Sequence, residues 1–321
     1  MDAGRELLLQ NQPRRADGLR QIAPWLVRPL LRNLLGLLLW AYQRCGLQWL
    51  VRHSGILGKS RLARLESLLP HLSFPRPLSA AVTTAAQVSL FTGCTGELAD
   101  RETLQNALCV LNHLGISAEI PRSQGCCGAL HQHAGLSAEA SQLAANNLEG
   151  FGGKTKPILC AASGCTATLL EYEQLAGQRG ADFSLRVQDL SAFLLANWSD
   201  QIQLNPLHAR VAVHTACTMK NIVKQSGATQ KLLQKVPGLE LVELDATSQC
   251  CGASGSFFIQ QPEMSDRLLE RKLDAANKLT PDYIVSGNIG CSMHLAAGLR
   301  RSGLRVPVLH PVTLLARQLV H

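Results

Sequence analysis

Residues 123–129 read SQGCCGA and residues 247–253 read TSQCCGA. Two adjacent cysteines followed by glycine, occurring twice in one chain, mark an internal repeat that sets the architecture. Further pairs fall into line on either side. Residues 87–95 (QVSLFTGCT) match 210–218 (RVAVHTACT), and 158–165 (ILCAASGC) match 284–291 (IVSGNIGC). The ends correspond too, 185–195 (LRVQDLSAFLL) with 304–315 (LRVPVLHPVTLL). Cys94, Cys126, Cys127 and Cys165 thus align with Cys217, Cys250, Cys251 and Cys291, at offsets of 123, 124, 124 and 126. Cysteines used only as small buried hydrophobes have no need to keep such a register. Cys160 aligns with Ser286 and is not repeated, and Cys45 and Cys109 stand outside the pattern.

Each unit alternates strand and helix patterns. In the second, 211–214 is a short β-branched run and 218–234 has helical periodicity. Residues 239–243 form another strand candidate, and 263–277 a helix after Pro262. Strand 283–286 and helix 292–299 follow. This alternation predicts α/β units with parallel sheets. Ligands of such sheets sit at loops beyond the carboxyl ends of strands. Cys94, Cys165, Cys217 and Cys291 lie at strand-to-helix junctions of that kind. The expected organisation is a helical basic head and linker (1–80), then two tandem repeated cysteine-rich domains (81–205 and 206–321).

The chain has 321 residues, 46 % of them hydrophobic and 17 % charged, enough apolar material for a sizeable core. Its net charge of +8 resides in residues 1–65, with eleven Lys or Arg against three acids; the remainder is neutral. A neutral body with 4 % aromatic residues argues against nucleic-acid binding. In the head, 23–52 reads APWLVRPLLRNLLGLLLWAYQRCGLQWLVR, and its uninterrupted apolar run, 34–42, is nine residues. A spanning helix needs about twenty. Arg28, Arg32, Arg44 and Arg52 beside Trp25, Trp40 and Trp49 instead suggest a helix lying on a membrane surface or packed on the body with its arginines solvated. The prolines of 70–77 (PHLSFPRP) read as a linker.

No secretory signal is visible at the start, so eleven cysteines point to metal or redox chemistry rather than disulfides. Within each unit the order is Cys, Cys-Cys-Gly, Cys, with spacings of 32 and 38 residues, then 33 and 40. Four thiolates converging from three loops form a soft site for an iron–sulfur cluster or zinc. Successive side chains diverge, so neighbouring cysteines suit a cluster of several irons better than one tetrahedral ion. Thiol relay and inert core cysteine are the remaining alternatives. Gly128 and Gly252 allow close backbone approach. His131 and His133 follow the first pair, as surface loop histidines or as hydrogen-bond partners of a cluster or quinone-like ligand. His214 and His294 flank repeated cysteines and suit a supporting position. Lys220 reads as an exposed helix lysine, and Cys160 as a buried strand cysteine or a fifth ligand. No dinucleotide fingerprint, P-loop or nucleophile elbow is present, so the chain shows redox-centre ligands without a site for substrate chemistry.

At CCGALH (126–131), CCGASG (250–255), QPEMSDRLLERK (261–272) and SGNIGCSMHL (286–295), the chain resembles the iron–sulfur subunit of glycolate oxidase (glycolate dehydrogenase). Lactate-utilisation iron–sulfur proteins, the anaerobic glycerol-3-phosphate dehydrogenase small subunit and the cysteine-rich component of heterodisulfide reductase are more distant likenesses. The resemblance implies one or two clusters, of the [4Fe-4S] type, on Cys94, Cys126, Cys127 and Cys165 and on Cys217, Cys250, Cys251 and Cys291. It implies an oxidoreductase subunit passing electrons from a flavin-containing dehydrogenase subunit that oxidises a 2-hydroxy acid toward membrane quinone. The location it implies is cytoplasmic, at the inner face of the membrane. Family members usually begin with a ferredoxin-like domain; only Cys45 precedes Cys94 here, so a separate ferredoxin-type partner is expected. Heterodisulfide-reductase-like members end each motif with Cys-x-x-Cys, whereas single cysteines stand here in SGC and IGC. A catalytic subunit of that kind and a zinc-holding scaffold module are the alternatives.

Overall fold

In a computed structural model, residues 2–11, 16–58, 60–78, 85–152, 155–245 and 249–320 are described. The expected boundary at 80/81 and Thr247 and Ser248 of the second Cys-Cys-Gly segment lie outside them. The described residues form two four-stranded parallel sheets that repeat one design. In the first, β1 (Val88–Phe91), β2 (Ala118–Glu119), β3 (Ile158–Cys160) and β4 (Val187–Asp189) are ordered β2-β1-β3-β4. In the second, β5 (Arg210–His214), β6 (Glu240–Glu243), β7 (Tyr283–Ser286) and β8 (Val308–Leu309) are ordered β6-β5-β7-β8. The chain leaves the first central strand to one side and re-enters beside it on the other. The crevice between the carboxyl ends of β1 and β3, or of β5 and β7, is therefore the topological switch point, the favoured ligand position of such sheets. In register, Phe91 pairs with Cys160 and His214 with Ser286 across these crevices.

Most elements of the second unit fall where the sequence places them, with three differences. Pro262 is the first residue of its helix (Pro262–Leu279), where a missing N–H costs nothing. The helix expected at 292–299 begins three residues earlier, as Ile289–Arg301, because the Asn288 side chain caps it and accepts from Gly290 and Cys291 N–H. The expected helix 218–234 is broken. Met219–Val223 forms a π-helical turn, Lys224 adopts φ +59°, and helix resumes at Ala228–Leu233. The wide turn packs Met219 and Val223 against Ala216, Cys251 and Cys291.

The two units share a core. Leu90, Leu104, Leu108 and Leu111 of the first form one buried cluster with Leu232, Val236, Val312, Leu315 and Leu319 of the second. Leu204, in the connecting segment, bridges to Leu319. His310 caps helix Pro311–Ala316 through Nδ1 and reaches the Ala161 carbonyl of the first unit through Nε2, at 2.8 Å.

The head is helical, as α1 (Asp2–Asn11), α2 (Asp17–Val27), α3 (Pro29–Arg44), α4 (Leu47–Ser54) and α5 (Arg61–Leu68). No single helix among the described residues is long and apolar enough to cross a membrane; α2 and α3 reach that composition only together, and are bent by 95°. α3 carries two stripes at helical spacing. Arg32, Gly36 and Gln43 face inward: Gly36 lies near Leu98 and Pro75, and the Gln43 amide bonds both Pro70 O and Leu72 N. Leu30, Leu34, Leu37 and Leu38 are exposed, Leu30 at 85 %. The expectation of solvated arginines fails for Arg32, which is 5 % exposed and paired with Glu97. Arg52 is held by both oxygens of Glu66, whereas Arg28 and Arg44 are exposed. Residues 70–77, read as a linker, are extended but docked on α3 with Leu72 buried.

Candidate metal centres

In the first unit, β1 ends at Phe91, and Gly93 turns the chain at φ +64° so that Cys94 opens helix Cys94–Ala99. A Cβ at Gly93 would stand 3.7 Å from Cys165 Sγ. The Gln124 amide ties the next loop back to this strand end, donating to Leu90 O at 3.0 Å and accepting from Thr92 N at 2.7 Å. That clamp brings Cys126 Sγ to 3.4 Å from Cys94 Sγ. Asn147, fully buried, accepts from Gly125 N and donates to Cys126 O and the Tyr172 hydroxyl; Tyr172 in turn donates to Cys127 O. Cys165 sits in the first turn of helix Ser163–Leu170.

In the second unit, Cys217 follows β5, Cys250 and Cys251 occupy the loop after β6, and Cys291 lies in the first turn of helix Ile289–Arg301. The Cys-Cys-Gly turn is the same in both. Gly128 at φ +89° and Gly252 at φ +87° direct their N–H to the sulfur two residues back, 3.5 Å from Cys126 and 3.4 Å from Cys250. Ser265 Oγ donates to Gly252 O at 2.9 Å and meets His294 Nε2 at 3.1 Å.

The structure brings each expected quartet together. Successive sulfurs contact one another in the order Cys94, Cys126, Cys127, Cys165, and again in the order Cys217, Cys250, Cys251, Cys291. All eleven cysteines are free thiols. Cys160, buried at the end of β3, also contacts Cys165, so the strand cysteine belongs to the first pocket. Cys45 is exposed and Cys109 half-buried on the helix Arg101–His113. Lys220 is exposed as expected. Of the loop histidines, His133 is exposed but His131 is buried on helix Ala129–His133, and its Nδ1 has no partner among the described residues. The surface reading of His131 is corrected accordingly: the glycine-led turn folds it inward. His214 is buried, its Nδ1 3.0 Å from Ser286 Oγ, and a ring nitrogen lies within 4.8 Å of the Cys251 and Cys291 sulfurs.

Thiol electrostatics follow from this crowding. Hydrogen bonds from Cys126 and Cys165 pull Cys127 down to about 5, while the thiolate so favoured pushes Cys126 up to about 12 and Cys165 well above its ordinary value. A bond from Cys165 also lowers Cys160. In the second pocket Cys250 is lowered by Cys217, and Cys217 and Cys251 are raised in return. A buried group of adjoining sulfurs holds a thiolate or two but resists full deprotonation, because like charges repel in a medium of low polarity. A soft cationic centre removes that repulsion, so the donor set and its glycine N–H groups fit an iron–sulfur cluster.

The head contributes to the first pocket in a way the sequence did not announce. Leu26 and Val27 pack on Cys94, Cys126 and Leu143. The hydrogen bond to Cys126 and burial hold the Cys94 thiol well above its ordinary value, and the Arg32 guanidinium, joined to Glu97 of the helix that Cys94 opens, offsets only part of that rise; its buried Nε has no partner among the described residues. Asn147, Tyr172 and Gln124 have no sequence signature either, since one polar residue in a helix or loop carries no spacing signal.

The family described as "Cysteine-rich domain" matches residues 88–170 and 211–296, and that described as "Glycolate oxidase iron-sulfur subunit, linker region" matches 24–69. The chain is 30 % identical to the probable glycolate oxidase iron-sulfur subunit of Bacillus subtilis over 308 residues, 90 % of this chain and 68 % of that relative. It is 28 % identical to lactate utilization protein A of Oceanobacillus iheyensis over 231 residues, 70 % of this chain and 94 % of the relative. The corresponding protein of Shouchella clausii is 27 % identical over 229 residues, 70 % and 95 % of the two chains. Paired parallel-sheet units with a thiol pocket at each switch point define an oxidoreductase component whose cofactor is an iron–sulfur cluster. The chain belongs to the glycolate oxidase iron–sulfur subunit family, with its two cysteine-rich domains and the linker region ahead of them.

Proposed function

We propose that this chain is the electron-transfer subunit of a 2-hydroxy-acid dehydrogenase, taking electrons from a flavin-containing subunit and passing them toward membrane quinone. The observation that carries it is the duplicated pocket: four sulfurs in the same sequential contact order at equivalent switch points of two sheets. Cys94, Cys126, Cys127 and Cys165 would hold one [4Fe-4S] centre, and Cys217, Cys250, Cys251 and Cys291 the other. A cluster bound there takes up and releases single electrons. The protein's part is to position the sulfurs, exclude water and link the sites. Ser163 Oγ receives Asn288 Nδ2 at 3.0 Å and meets Thr218 Oγ1 at 2.9 Å, and these residues adjoin Cys165, Cys291 and Cys217. That contact supports transfer between centres within one chain. The units are read as domains 81–205 and 206–321 behind the head at 1–80.

The relatives named for glycolate oxidase and lactate utilization support the hydroxy-acid reading and a complex with other subunits; a flavin-containing dehydrogenase subunit and a separate ferredoxin-type protein are the partners proposed. The exposed leucines of α3, with Trp49 and Leu50 on α4 and the exposed Arg28 and Arg44, support docking at the inner face of the cytoplasmic membrane. Anaerobic reconstitution with iron and sulfide tests the central reading. Stoichiometric iron and sulfide with broad visible charge-transfer absorption are expected; zinc alone, or no metal, contradicts it.

A further inference from the structure

The two pockets are not copies in one respect. At the carboxyl ends of the central strands, one register pair faces each crevice: Phe91 with Cys160 in the first unit, His214 with Ser286 in the second. The first pair supplies a sulfur. The Cys160 thiol contacts Cys165, while the Phe91 ring turns into the core to stack on Phe151 with centroids 6.1 Å apart. The second pair supplies a nitrogen. Serine replaces the thiol, and its Oγ lies 3.0 Å from His214 Nδ1. His214 holds the strand position that Phe91 holds in the first unit, but its imidazole is buried with a ring nitrogen within 4.8 Å of two cysteine sulfurs of the quartet.

We propose that the second centre takes the His214 imidazole as a nitrogen ligand beside its cysteines, whereas the first is held by sulfur alone, with Cys160 as a fifth thiol. Ser286 is the positioning residue. Accepting the Nδ1 proton, it fixes the tautomer and presents Nε2 to the metal, as partners of metal-bound histidines do. An imidazole brings less negative charge than a thiolate, and exchange of thiolate for imidazole raises the potential of iron–sulfur centres. The second centre therefore has the higher potential, and electrons entering at the first settle on the second across the Ser163–Asn288 contact.

The inference rests on both pockets holding iron–sulfur clusters, and iron content of the reconstituted full-length chain decides that point separately. With iron in both, stepwise reduction followed by pulsed electron paramagnetic resonance on protein labelled with 15N-histidine reads the ligand directly. Histidine nitrogen coupling is expected on one of the two reduced species, the one reduced at the higher potential. In His214→Phe, the residue of the first unit, that coupling is lost and the other species is unchanged. Ser286→Ala retains the imidazole and alters the coupling, while Cys160→Ser shifts only the uncoupled species. Iron in both pockets without histidine coupling on either species, or coupling that survives His214→Phe, overturns the proposal.

Discussion

Gly128 and Gly252 occupy the same turn, yet a methyl group meets different surroundings at each. A Cβ at Gly252 would lie 2.5 Å from Ser265 O, whereas at Gly128 the nearest atom is Ala140 O at 3.4 Å. Both have positive φ, which costs a non-glycine residue about 1–3 kcal/mol. Gly252→Ala should therefore lose iron from its pocket well before Gly128→Ala does, a contrast that iron analysis of the two variants checks. Asn147 offers a second residue-level test. Its amide satisfies Gly125 N, Cys126 O and the Tyr172 hydroxyl inside the core, and leaving such groups unpaired costs about 1–3 kcal/mol each. Asn147→Ala is expected to lower the melting temperature and empty the first pocket while the second keeps its iron.

Among the elements, α3 shows what sequence could and could not tell. Its apolar run reads as one feature but divides between two faces: Gly36 lies on the packed side, and Leu34, Leu37 and Leu38 continue an exposed apolar stripe that contact with water alone does not call for. Arg32 sits on the packed side, and composition alone gave no sign that Glu97, 65 residues on, would neutralise it. Breaking a buried ion pair typically costs about 3–5 kcal/mol. Arg32→Ala should loosen the head, seen as faster limited proteolysis ahead of residue 70, whereas Leu34→Ser with Leu38→Ser should leave melting unchanged. If the bare stripe docks on lipid, that double variant also loses co-sedimentation with anionic vesicles that the wild type shows; equal binding by both would remove the membrane role. The strands and the cysteine-bearing junctions were legible because β-branched runs and a fixed register leave a periodic trace. The break at Lys224 was not, since it depends on tertiary contacts that no local pattern encodes, whereas Cys160, five residues before Cys165, could be read either as a buried strand cysteine or as a fifth ligand, and only its contact with Cys165 places it in the pocket.

For the whole molecule, the join between units is a point where pH acts on stability. His310 satisfies both nitrogens only as the neutral ring, accepting at Nδ1 and donating at Nε2, and burial pushes it down to about 4. The unfolded chain binds this proton near pH 6.5. The contribution of His310 is thus complete above that value and is lost as pH falls toward about 4. Asp100, in the same cleft, runs the other way: burial raises it to about 7, so its effect is to lower stability as pH rises from about 4 to about 7. Comparing wild type with His310→Gln cancels the shared Asp100 slope. The difference in unfolding free energy should be about 1–3 kcal/mol at neutral pH and shrink toward acid.

Two independently filled pockets are the centre of this reading, and metal content after emptying one pocket at a time tests it most directly. Iron per chain should fall to half in Cys126→Ser with Cys127→Ser, likewise to half in Cys250→Ser with Cys251→Ser, and to nothing when all four are replaced. Unchanged iron in either double variant, or loss of all iron from one, would contradict it.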